Sequence, residues 1–167
     1  MIRVVVLLGP PGSGKSTIGR ELERMGFRWR EWEEVILQRW GSRDAFVRAK
    51  AEALPELHRE IRAWVDTGGS IAATETTGLS DAPLLDELQR DGVCFIVRLD
   101  LSLNEAIQRV ASRPRDRHLT DDEDANRQLW HVYDEIVLPH RHADLVIDTG
   151  TVGPDRAALL IAAAVEH

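Results

Sequence analysis

A chain of 167 residues with 43% hydrophobic residues is sized for one domain around a single well-buried core. Its formal net charge of −7 leaves no broad cationic surface for nucleic-acid backbones, so long DNA or RNA is disfavoured as a partner, although a local cluster of arginines can still hold a phosphate. One cysteine, Cys94 in the apolar run VCFIV, reads as a small core residue and excludes a disulfide framework; with no leader-like segment and no stretch of transmembrane length, a soluble cytoplasmic protein away from membranes is the expectation.

The chain opens with Ile2 to Leu8, apolar and β-branched, as in a strand buried on both faces of a parallel sheet. A helix is predicted from about Lys15 to Met25, stopped by Gly26, and then a weaker strand in FRWRE. Trp32 to Trp40 predicts a helix ended by Gly41. Beyond it, Phe46, Ala49, Ala53, Leu57, Ile61 and Trp64 recur at helical spacing, with Pro55 expected to kink or divide that helix. SIAATE reads as a buried strand, APLLDELQRDG as a helix stopped by Gly92, and VCFIVRLD as the clearest strand after the first. Ser102 and Glu105 make a capping box for a helix to about Ser112. The charged segment RPRDRHLTDDED follows, then a helix through Leu138 ended near Pro139, a last strand DLVID, and a closing helix with Pro154 near its start. Strands alternating with helices predict an α/β fold whose parallel sheet has right-handed crossovers, in one domain over residues 1–167.

The stretch GPPGSGKST, Gly9 to Thr17, fits G-x-x-x-x-G-K-[ST] at Gly9, Gly14, Lys15 and Ser16, between a predicted strand and a predicted helix. Its glycines let the backbone of Gly9, Pro10, Pro11, Gly12, Ser13 and Gly14 turn so that amides point inward, forming a nest at a helix start whose dipole also favours an anion. The polyphosphate of ATP fits that nest. Lys15 is the point charge for the β- and γ-phosphates, Ser16 the hydroxyl for Mg²⁺, and Thr17 the neighbour of the α-phosphate. Neither Asn104 nor Asn126 is followed by lysine, so the guanine-reading switches drop out. Asp86-Glu87 and Asp134-Glu135 fall in helical segments, which makes large mechanical ATPases poor candidates. Phosphoryl transfer to a small molecule remains.

With this motif and layout, the sequence resembles the shikimate kinase and gluconate kinase branch of the P-loop kinases, similar in plan to adenylate kinases, over nearly the whole chain. The resemblance implies a three-layer α/β/α P-loop NTPase fold with a five-stranded parallel sheet, a short lid at approximately 113–124 and an acceptor-binding helical region at approximately 31–66. Glu31 and Glu33 stand before Gly41 where shikimate kinases carry an Asp-x-Asp pair; by analogy Glu31 holds water on Mg²⁺ and Glu33 orients or deprotonates the acceptor hydroxyl. The same two residues also suit the acidic first turn of a helix. The family's glycine triplet falls where this chain has Glu75, Thr76, Thr77 and Gly78, a departure that argues against shikimate itself. Glu75, ending SIAAT beside the phosphate loop, can serve the waters on the metal, the attacking hydroxyl or a polar substrate group, while Thr76 and Thr77 can donate hydrogen bonds.

The resemblance gives Arg113 to stacking on adenine and Arg117 to the transferring phosphate, within a run that also holds Arg109 and Arg115. Arg48 and Arg141 are the candidate cations for a carboxylate or phosphate of the acceptor, and Trp32, between the two carboxylates, can pave its pocket. His131, His140 and His142 invite a zinc reading, but with no cysteine near them they are weak evidence for one, and zinc is not expected. The resulting reading is a kinase moving the γ-phosphate of Mg-ATP to a hydroxyl of a small polar metabolite. The alternatives are a nucleotide or nucleoside kinase with Arg48 as phosphate clamp, and an ATP-binding regulatory module with slow hydrolysis. An exposed apolar helix face and a buried one read alike, so oligomeric state stays open.

Overall fold

Apolar runs of five to seven residues become parallel strands here because helices cover both of their faces. The computed structural model describes residues 1–113 and 122–166. At the centre lies β1 (Val4–Leu8), every residue of which is buried. It pairs with β3 (Ala72–Thr76) on one side and β4 (Cys94–Asp100) on the other. β2 (Arg28–Arg30) and β5 (Leu145–Asp148) form the edges, giving the order β2-β3-β1-β4-β5 with every pairing parallel.

Alternate residues of β1 feed two separate cores. Val5 and Leu7 join Ile18 and Leu22 of α1 (Lys15–Arg24) and Ala158 and Ile161 of α7 (Pro154–Val165). Val4, Val6 and Leu8 face the opposite way, onto Ile36 of α2 (Trp32–Trp40), Leu57 and Ile61 of α3 (Arg43–Asp66), and Leu85 and Leu88 of α4 (Ala82–Arg90). These are the predicted three layers. On the first face α1 lies so close to β2 that a Cβ on Gly19 would come within 2.2 Å of the Trp29 ring, so only glycine fits there.

Three local expectations change. Pro55 does not divide its helix: α3 runs unbroken from Arg43 to Asp66, because Pro55 is on the exposed side while Phe46, Ala53, Leu57, Ile61 and Val65 hold both halves in the core. At the start of α5 (Leu103–Ser112), the Ser102 hydroxyl accepts from the Glu105 amide at 3.3 Å and donates to the Glu105 carboxylate at 2.6 Å, so the glutamate binds the capping hydroxyl. The helix expected through Leu138 is α6 (Glu123–Val132) followed by a π-helical turn, Tyr133–Val137. Residues 114–121 of the expected lid, with Arg115 and Arg117, lie outside the described residues; its last three residues start α6, with Glu123 and Asp124 in the helix and the Asp122 carboxylate capping it by accepting from the Ala125 amide at 2.7 Å. Among the described residues no helix is long and apolar enough to cross a membrane.

Candidate active site

The segment leaving β1 is fastened before it turns: the Gly9 amide donates to the Thr76 carbonyl of β3 at 3.1 Å. Gly12 and Gly14 then take left-handed conformations, with φ of 83° and 97°. Gly12 is also pressed against α5, where a Cβ would stand 2.4 Å from the Ala106 carbonyl oxygen. The first turn of α1 carries no acidic side chain, leaving its positive end available to an anion. The Lys15 ammonium donates to the Gly9 and Pro10 carbonyls at 2.8 and 3.0 Å and lies 3.9 Å from the Glu75 carboxylate. Ser13 is fully buried behind the loop.

A cavity of about 920 Å³ follows the carboxyl ends of the strands, where open α/β sheets hold their ligands. At one end stand Pro11, Gly12, Gly14, Ser16 and Thr17, with Arg109, Arg113 and the turn from Thr149 to Pro154. That turn is locked to the loop: the Thr149 hydroxyl donates to the Ser13 carbonyl at 2.9 Å, and Arg109 donates to the Thr149 carbonyl at 2.7 Å. The turn was not among the candidates from sequence, although TGTVGP directly after the last strand of a parallel sheet is a signal for it.

At the other end the walls come from α2 and α3. Glu31, Trp32 and Glu33 line it together with Phe46, Lys50 and Leu57. Trp32 is buried and meets His58 edge-on, the ring centroids 6.2 Å apart. Glu75 closes the floor from β3, and Thr77 and Asp81 complete that side. The Thr76 hydroxyl is engaged internally, donating to the Asp81 carboxylate and accepting from the Gly78 amide at 2.8 Å. Thr76 therefore shapes the turn after β3.

Burial dominates the electrostatics of the floor. Removal from water pushes the Glu75 carboxyl up to about 7; the Lys15 ammonium opposes this, while Glu33, Glu31 and Asp81 reinforce it. The same burial draws the Lys15 ammonium below its ordinary value, against the pull of Glu75. Glu31 lies 3.7 Å from Arg20. Among the described residues no three His, Cys, Asp or Glu side chains converge as metal ligands. Ser16 and Glu31 both line the cavity, and one hydroxyl with one carboxylate suits Mg²⁺, which keeps most of its shell as water and phosphate oxygen.

Two expected cations do not reach this cavity. Arg48 is exposed on α3, and the neighbours that do line the wall are Val47 and Lys50, so the helix register turns Arg48 outward. Arg141 donates to Asp86 and to Gln89 of α4, and it lies close enough to Cys94, at the amino end of β4, to act on that thiol electrostatically. It is therefore at the amino ends of the strands, opposite the carboxyl ends where the phosphate loop lies. Lys50 and Arg109 take places that sequence reasoning had not assigned.

A family profile described as "AAA domain" matches residues 5–131. Asp86-Glu87 and Asp134-Glu135 lie in α4 and the π-helical turn, so neither pair ends a strand as mechanical ATPases require. Shikimate kinase of Xanthomonas axonopodis pv. citri is 30% identical over 169 residues, spanning 92% of this chain and 86% of that protein. The solved shikimate kinase from Acinetobacter baumannii in complex with shikimate matches with a TM-score of 0.67 at 20% identity, over 99% of this chain and 94% of that one. The shikimate kinase structure from Bacteroides thetaiotaomicron matches with a TM-score of 0.69 at 16% identity, over 98% of each chain. With its glycine-turned phosphate cradle opening onto the 920 Å³ cavity, the chain belongs to the P-loop family described as AAA domain and, through its shikimate kinase relatives, to the ATP-dependent small-molecule kinases.

Proposed function

We propose that this kinase transfers the γ-phosphate of Mg-ATP to a hydroxyl of a small metabolite seated between Glu75, Glu33 and Trp32. The observation that carries the reading is Glu75: a carboxylate only 9% exposed, 3.9 Å from the phosphate-loop ammonium, with a pKa of about 7. A base with that affinity for protons is matched to neutral pH. Lys15 swings from the loop carbonyls to the γ-phosphate and offsets its growing charge. Glu33 aims the acceptor hydroxyl in line with the γ-phosphorus, and Glu75 takes the hydroxyl proton as the new P–O bond forms and the bond to the ADP oxygen breaks. The Ser16 hydroxyl and, through water, Glu31 would hold Mg²⁺, whose charge would help neutralise the phosphates. Arg113 lines the nucleotide end and stacks on adenine; Arg117, outside the described residues, keeps the phosphate role that the resemblance implies.

A nucleotide acceptor would need a phosphate clamp, and Arg48, the residue considered for that task, is exposed outside the cavity. The test is ADP release from Mg-ATP against a panel of acidic, neutral and amine-bearing alcohols. Acceptor-dependent turnover is expected. A slow background that no alcohol raises would remove the transfer reading in favour of a regulatory module.

A further inference from the structure

The phosphate cradle is made of peptide groups, so its aim depends on what holds each peptide plane. Turning the plane between Ser13 and Gly14 changes only ψ of Ser13 and φ of Gly14, and a glycine accepts either sign of φ. Local structure therefore does little to fix this plane, although it carries the Gly14 amide at the head of α1. The Ser13 side chain does not fix it either, since its buried hydroxyl has no hydrogen-bond partner among the described residues. What holds the plane comes from outside the loop: the Ser13 carbonyl accepts from the Thr149 hydroxyl at 2.9 Å. A trans peptide sets C=O and N–H on opposite sides, so a carbonyl held toward Thr149 turns the Gly14 amide the other way. No acceptor among the described residues takes that amide, and Gly14 lines the cavity. Thr149 is itself firmly seated. It is buried at the end of β5, its amide donates to the Asp100 carbonyl at 2.9 Å, and Arg109 donates to its carbonyl at 2.7 Å and to its hydroxyl oxygen at 3.4 Å. The other acceptor within reach of the hydroxyl proton, the Asp100 carbonyl, is farther away at 3.3 Å.

We propose that Thr149 is a positioning residue for nucleotide binding: its hydroxyl anchors the Ser13 carbonyl and so presents the Gly14 amide to a phosphate oxygen of ATP. Without that hydroxyl the buried carbonyl loses its partner, and the plane is free to rotate and take the amide with it. The role concerns binding and stands apart from the choice of acceptor, so its test needs no turnover. The full chain with Mg²⁺ is titrated calorimetrically with ATP and with tripolyphosphate, which has the phosphates and no nucleoside. Thr149→Val, which deletes the hydroxyl and keeps the shape, is expected to weaken both ligands by about tenfold, the scale of one charge-assisted hydrogen bond. Thr149→Ser keeps the hydroxyl and is expected to stay within about threefold of the unsubstituted chain. Thr67→Val removes a hydroxyl that donates to the Trp64 carbonyl at 2.6 Å beyond the end of α3, away from the cavity, and leaves both affinities unchanged. Should Thr149→Val fail to fold, Thr149→Cys, a weaker donor of similar size, takes its place with a loss of about threefold or more expected for both ligands. Unchanged affinities in the hydroxyl-deleted variant overturn the proposal. So does a loss as large in Thr149→Ser, or a loss confined to ATP, which would assign Thr149 to the nucleoside. No binding of either ligand by the unsubstituted chain overturns it together with the cradle, whereas tight binding without acceptor-dependent ADP release leaves it standing and sinks the transfer reading alone.

Discussion

At the phosphate end of the cavity, recognition rests on backbone: left-handed Gly12 and Gly14 aim the amides, α1 supplies its positive end, and the Thr149 hydroxyl ties the opposite wall to the Ser13 carbonyl. At the α2–α3 end, the proposed acceptor end, the cavity wall is made of side chains from separate segments, Trp32 and Glu33, Phe46 and Lys50, and Glu75. A backbone cradle answers to conformation and keeps its ligand through wide sequence change. A side-chain wall is rewritten by single substitutions. Nucleotide use therefore travels with the motif, and acceptor choice has to be read from charge and shape at the far end.

The largest effect that tests this contrast belongs to Lys15. Lys15→Ala should lower turnover by about 10³-fold or more with an unchanged circular dichroism spectrum, since the ammonium joins the cradle to the chemistry; near-normal turnover would break the division of labour. Next is Glu75→Gln, with an expected loss of about 10²-fold in kcat. Because the free enzyme holds Glu75 at about 7 and a base acts only when deprotonated, kcat/KM should rise with pH through about 7, and the variant should flatten that limb. A limb that persists in Glu75→Gln would hand the proton to another group. Gly19→Ala sharpens the contrast from outside both ends: with the Trp29 ring 2.2 Å from the new Cβ, it should cost about 1–3 kcal/mol of stability, read as a lower Tm, with both KM values unchanged. The smallest effect is expected from Arg141→Ala, about 0–1 kcal/mol through the lost pair with Asp86 and no kinetic change. A raised acceptor KM in that variant would return Arg141 to the acceptor end.

What was legible in sequence follows the same boundary. The phosphate cradle could be read because its requirements are local: glycine where the chain turns left-handed, a lysine and a hydroxyl one step into the helix. That Glu31 and Glu33 line the cavity follows from their place at the head of α2, and that Glu75 does so follows from its place near the end of a buried strand. Arg48 could not, because which side of α3 meets the cavity depends on the fit of Phe46, Leu57 and Ile61 into the core. Arg141 was misplaced because its segment is drawn to the amino ends of the strands, where the Asp144 carboxylate accepts from the Ile96 amide at 2.7 Å and the guanidinium reaches α4. The π-helical turn at Tyr133–Val137 has no pattern in YDEIV to announce it. Thr149 escaped because its meaning lies in a partner far away in the chain.

That distance has a consequence for biosynthesis. Ser13 and Thr149 are 136 residues apart, yet one hydroxyl joins them at the nucleotide cradle. A ribosome makes GPPGSGKST well before Thr149, so the nascent chain carries an unfinished cradle over the 136 residues that separate Ser13 from Thr149. The Thr149 hydroxyl reaches the Ser13 carbonyl only from the end of β5, so a ligand held in the completed cradle would favour molecules in which β5 has paired with β4.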